Sequence, residues 1–104
     1  MAKYLFVFHG GGAPQGKDAQ AKAMDAWGSW FGSMGADVVD GGNPVGKSTT
    51  VTSDGSVVNN GGSNPTSGYS LIEAKTLEDA IAKAKSCPIL GHGGSIELAP
   101  TLDM

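Results

Sequence analysis

Three residues carry most of the chemical potential of this chain: His9, Asp40 and His92, its only two histidines and one well-placed acid. His9 closes the apolar run Tyr4-Leu5-Phe6-Val7-Phe8, and Asp40 closes Val38-Val39. A carboxylate beside an imidazole fixes its tautomer and raises its basicity, which makes a general acid/base near neutral pH. The plainer alternative is that Asp40 opens a turn with Gly41 and His9 ends a strand. His92 lies in a Gly-His-Gly-Gly loop and is a candidate for ligand contact. Two histidines and an acid are potential metal ligands, but their spacing matches no local ligand signature, so no metal and no cofactor are expected.

Two other features invite chemistry and then lose it. Gly41-Gly42-Asn43-Pro44-Val45-Gly46-Lys47-Ser48 matches the phosphate-loop pattern G-x-x-x-x-G-K-[ST] letter for letter. That loop works because a helix starts behind it and aims its amides at the phosphates. Here Thr49-Thr50-Val51-Thr52 and Asp54-Gly55 follow, which is strand and turn chemistry, so the match is read as coincidence. Cys87 is the lone cysteine. It excludes an intrachain disulfide and a Cys-rich zinc site, and it precedes Pro88 without the positive surroundings that activate a thiol.

The elements that must position these residues follow from periodicity. Residues 3–8 read as a strand and 10–17 as a loop. A helix begins near Asp18, its expected N-cap, and carries Met24, Trp27, Phe31 and Met34 on one stripe before Gly35 ends it. Gly28 and Gly32, four apart, suggest close approach of a sheet or partner. Residues 36–40 make a second strand, and Asp54-Gly55 turns a hairpin between Thr49–Thr52 and Ser56–Val58. Residues 59–68 read as loop and Tyr69–Ala74 as strand. Thr76 caps a second helix with the stripe Leu77, Ala80, Ile81, Ala84, which stops before Pro88. Ser95–Ala99 is the last strand.

This order, β-α-β, a hairpin excursion, then β-α-β, predicts a single α+β domain over residues 1–104: a ferredoxin-like split β-α-β sandwich with both helices on one sheet face. In such a fold the first two strands are parallel, so His9 and Asp40 end at one edge. The uncovered sheet face predicts a homodimer. Seven lysines, no arginine and a net charge of −3 argue against nucleic acid as a partner. No apolar run approaches the ~20 residues of a membrane span. The first apolar run is too short for a secretion signal, and a reducing cytoplasm is the expected compartment.

Gly68-Tyr69-Ser70-Leu71-Ile72-Glu73-Ala74, Leu77-Glu78-Asp79-Ala80, Ala84-Lys85-Ser86-Cys87-Pro88 and Gly93-Gly94-Ser95-Ile96-Glu97-Leu98 resemble the YCII-related (DGPF-type) domain family. Ala26-Trp27-Gly28 and Asp40-Gly41-Gly42 fit the same pattern, so the resemblance spans nearly the whole chain. It departs at Asn59–Pro65, where many relatives carry Asp-Gly-Pro-Phe. The resemblance implies a dimeric α+β-barrel fold and, in some members, a histidine–aspartate active site, which falls on His9 and Asp40; a few relatives act on chlorinated or hydroxylated aromatic rings. Two functions are therefore carried forward. One is an acid/base enzyme of isomerase or lyase type on a small organic or aromatic molecule, with Trp27, Tyr69 and loop 10–17 lining its cleft. The other is a non-catalytic, small-ligand-binding or regulatory dimer using the same cleft.

Overall fold

Strand β1, Ala2–His9, is apolar on both faces, and the molecule is built around it. Tyr4, Phe6 and Phe8 are buried on one face, whereas Leu5 on the other is 38% exposed. β1 is central because its two neighbours, β5 (Thr66–Ala74) and β6 (Ser95–Pro100), pair along nearly its full length, both antiparallel. The computed structural model describes residues 2–12, 15–62 and 64–103; Ala13 and Pro14 in the first expected loop, and Ser63 in the second, lie outside the described residues.

β2 (Val38–Asp40) joins the other side of β5, which completes a four-stranded sheet in the order β2-β5-β1-β6. β1 and β2 are both antiparallel to β5, so they run parallel to each other, as the strand order in the sequence predicts. β3 (Thr50–Val51) and β4 (Val57–Val58) pair only with each other, in a two-stranded sheet of their own.

Helices α1 (Lys17–Met34) and α2 (Leu77–Lys85) share a single core with the sheet: Trp30 and Met34 from α1, and Ala80 and Ala84 from α2, pack with Phe6, Phe8 and Ile72. The helices are also tied directly, because the Trp30 indole N–H donates to the Lys83 carbonyl at 2.9 Å. Lys83 in turn lies 3.0 Å from Asp79 and 3.5 Å from Asp37. These contacts raise its pKa, led by the hydrogen bond its ammonium donates to Asp79. This is an α+β fold, four antiparallel strands with two helices on one face. No helix among the described residues is long and apolar enough to cross a membrane.

Several local expectations hold. Thr76 caps α2 through the Asp79 amide at 3.1 Å. Gly35 ends α1 in a positive-φ conformation. The hairpin turns at Asp54-Gly55, with Gly55 at φ 87°.

Others are corrected. α1 begins at Lys17 with Gly16 at its N-cap, so Asp18 lies inside the first turn and makes no cap; its charge there still complements the helix dipole. Gly28 and Gly32 face open space, so of the two approaches they suggested, a sheet or a partner, the sheet is excluded. A 3₁₀ turn over Gly35–Asp37 shortens β2. β5 starts at Thr66 rather than Tyr69, because pairing with β1 overrides the weak strand propensity of Ser67 and Gly68. Residues Pro88–His92, past the end of α2, form a second 3₁₀ turn that buries Ile89.

Candidate functional site

A cavity of about 610 Å³ opens between α1 and the end of the sheet. One wall is the outer half of α1, with Gln20, Met24, Trp27 and Phe31. The floor is Phe8, Gly68 and Ser70 of the sheet. The opposite wall is backbone from Gly41 to Pro44, and the rim comes from Gly10–Gly12, Ile89 and His92. Among the described residues, no lysine, aspartate or glutamate lines it. A ligand in it meets aromatic and thioether surface with a few amide and hydroxyl groups at the edge, the usual lining of a small-molecule site.

The 41–44 wall is laid down by hydrogen bonds that begin at Asp40. Its Oδ1 accepts the Gly42 amide at 2.8 Å, an Asx turn. Gly42 has φ 69°, and a Cβ there would collide with the Tyr69 carbonyl, so only glycine fits. Ser70 Oγ donates to the Gly41 carbonyl at 2.7 Å. Tyr69 N–H donates to the Asn43 carbonyl at 3.3 Å, and Val45 N–H to the Ser67 carbonyl at 3.0 Å. The segment that matches a phosphate loop is therefore fastened along β5. No helix follows Ser48; the next element is β3, and the amide cradle such a loop needs is not formed.

Trp27 is held by its neighbours. Its ring meets Phe8 edge-on at 5.2 Å and Trp30 edge-on at 5.6 Å, geometries that fix an aromatic ring without filling the space beside it. Tyr69 also lines the cavity, and its hydroxyl lies 3.4 Å from the Asn43 side-chain amide. His92 is exposed on the rim, and among the described residues its ring makes no hydrogen bond. The three residues singled out for ligand contact, Trp27, Tyr69 and His92, thus border one cavity.

His9 and Asp40 do not meet. His9 is 7% exposed. Its Nε2 lies 3.0 Å from Glu97 Oε1 and its Nδ1 lies 3.2 Å from the Pro65 carbonyl. A neutral imidazole has one N–H and satisfies one of these acceptors; only the doubly protonated ring donates to both. The carboxylate that orients His9 is Glu97, while Asp40 holds the turn that walls the cavity. Neither His9 nor Asp40 lines it.

Glu97 went unnoticed in the sequence because it lies 88 positions from His9. The available hint was a single acid inside the apolar run Ser95–Ala99. Met24, on the helical stripe with Trp27 and Phe31, is 74% exposed at the cavity wall. Cys87 is buried at 3% exposure, and burial pushes its thiol up to about 11, the opposite of an activated nucleophile. Among the described residues no three His, Cys, Asp or Glu side chains converge as a metal-binding set. Compared with protein-family models, curated proteins and solved structures, the chain matches none of them.

Proposed function

We propose that this protein binds a small, uncharged, largely apolar molecule, preferentially an aromatic ring, in the cavity beneath α1. The observation that carries this reading is the lining: Trp27, Met24, Phe31 and Phe8 on the inner surfaces and, among the described residues, no lysine, aspartate or glutamate. Burying an ionised group there would cost several kcal/mol without a partner, so the cavity selects against charge. Asn43, Gln20 and Ser67 at its edge supply orientation through hydrogen bonds. The resemblance to YCII-related domains, some of which act on substituted aromatic rings, supports the same ligand class.

In this reading the domain is a ferredoxin-like, dimeric α+β protein working in the cytoplasm, where Cys87 persists as a free thiol. A second copy covers the sheet face turned away from the helices. That face carries Leu5 and Leu71 as a cross-strand pair, with Val7 beside it on β1. Burial of such rows is the main source of association energy in homodimers.

A second reading, an acid/base enzyme of isomerase or lyase type, is favoured by His92. Among the described residues it is the only histidine that lines the cavity, and imidazole is the side chain most often used for general acid/base chemistry. His9, with Glu97 as its carboxylate, would enter such a mechanism by steadying the β1 end from which the glycine rim departs.

Titrating the protein with 2-naphthol, 4-chlorophenol and benzoate while following tryptophan fluorescence tests the proposal. The neutral rings should bind with micromolar to submillimolar affinity and perturb Trp27 emission, and benzoate should bind at least about tenfold more weakly. Equal or stronger binding of benzoate, or no binding of any ring, overturns it.

A further inference from the structure

Beyond Val45 the chain leaves the body of the protein in an excursion that returns at β5, and among its described residues the only regular structure is the β3–β4 hairpin. Its turn is locally well made. Thr52 N–H donates to the Ser56 carbonyl at 2.8 Å, and the Asp54 carboxylate accepts the Ser56 amide at 2.9 Å. Its strands, however, pack on nothing in the core. Val51 and Val57 face each other across the pair and are 68% and 64% exposed. Val45 and Val58 are 41% and 39% exposed. A two-stranded hairpin of this kind is marginal in water on its own. Valine, the residue that best suits a covered strand surface, is here left uncovered.

The overall shape shows the same excess. The radius of gyration is 14.9 Å, against about 13 Å for a compact chain of this length, and the extents are 43 × 42 × 19 Å. A slab with an arm is more expanded than one domain needs to be.

We propose that the β3–β4 hairpin is a dimerisation arm that lies on a second copy of this chain. This rests on the dimer reading given above and adds to it. The occupant follows from area. Four strands ~4.8 Å apart and roughly 20 Å long present about 400 Å² of flat face, so two facing sheets bury on the order of 800 Å² in total. A stable interface takes about 1,200–2,000 Å². The sheet faces alone fall short, and the arm carries exposed apolar surface available to close the gap. In a two-fold dimer the contribution counts twice, since each arm reaches the other copy. The body supplies no cover for Val51 and Val57, and a second copy is present wherever the first is.

The test is sedimentation equilibrium of the parent, of Val51→Lys/Val57→Lys and of Leu5→Lys, with circular dichroism to confirm the fold and 2-naphthol binding to confirm the cavity. The double arm variant should keep its spectrum and its probe binding, because neither valine lines the cavity, while its dimer dissociation constant rises at least about tenfold. Leu5→Lys should also weaken the dimer. A parent that is dimeric with an unchanged constant in the arm variant overturns the arm and leaves the sheet-face dimer standing. A dimer weakened by the arm variant and untouched by Leu5→Lys supports the arm and overturns the sheet face. A monomeric parent at 100 μM overturns both.

Discussion

The corner around His9 and the rim around His92 put the same side chain to opposite uses. His9 is buried, and each ring nitrogen lies within hydrogen-bond distance of an acceptor, Glu97 on one side and the Pro65 carbonyl on the other. His92 is exposed at the mouth of a cavity with its ring unbonded among the described residues. A histidine that moves protons in a reaction needs a free nitrogen and room for a substrate; one that ties two segments together needs neither. The first region holds the end of β1, where His9 pairs with Thr66 of β5 after a register shift and with Ser95 of β6. The second borders space. The sequence context that made His9 look catalytic, the end of an apolar strand near an acid, describes a structural tie equally well.

The largest effect that tests this contrast is on stability. His9→Ala strands the Pro65 carbonyl and leaves a cavity, and it should cost about 2–3 kcal/mol, lowering Tm by roughly 10–15 °C, whereas His92→Ala should stay within about 0.5 kcal/mol. Urea melts of the two variants compare them directly, and equal losses break the contrast.

Cys87 extends it to another buried group. Its thiol keeps its proton in the fold up to about pH 11, while in the unfolded chain it ionises near 9.0. Between those values unfolding releases a proton, so stability falls as pH rises, by an amount on the order of 2 kcal/mol. The difference in stability between the parent and Cys87→Ala should therefore shrink across that window, and a constant difference refutes the assignment.

On the cavity side, Trp27→Ala should weaken 2-naphthol by about tenfold or more in a fluorescence or calorimetric titration, while Glu97→Gln leaves it within about twofold. Glu97 is largely exposed, so the same Glu97→Gln change should cost less than about 1 kcal/mol in a melt. The smallest effect belongs to the phosphate-loop lookalike. Lys47→Ala should change neither stability beyond about 0.5 kcal/mol nor nucleotide binding; ATP affinity that vanished with Lys47 would reinstate that loop.

The parts of the fold legible in the chain were those set by neighbours in sequence. Thr76 with Asp79, Asp54-Gly55, and Gly35 after an apolar stripe each signal structure within a few residues. The start of β5 was misplaced because Ser67 and Gly68 are strand residues only when β1 lies beside them. Met24 shares its helical face with Trp27 and Phe31, as the spacing indicates, yet it stays exposed, because spacing reports which residues share a face and not how far along the helix the covering sheet extends.

The sequence by itself determined the element order and the mixed α+β core, since both follow from local propensity, apolar periodicity and strand connectivity. Only the tertiary structure decided which carboxylate His9 meets and what Asp40 does. Glu97 reaches His9 because β6 pairs beside β1, and Asp40 is committed to Gly42 because a turn two residues away offers an amide first. A side-chain partner is set by strand register, and register is a property of the packed sheet, not of any window along the chain.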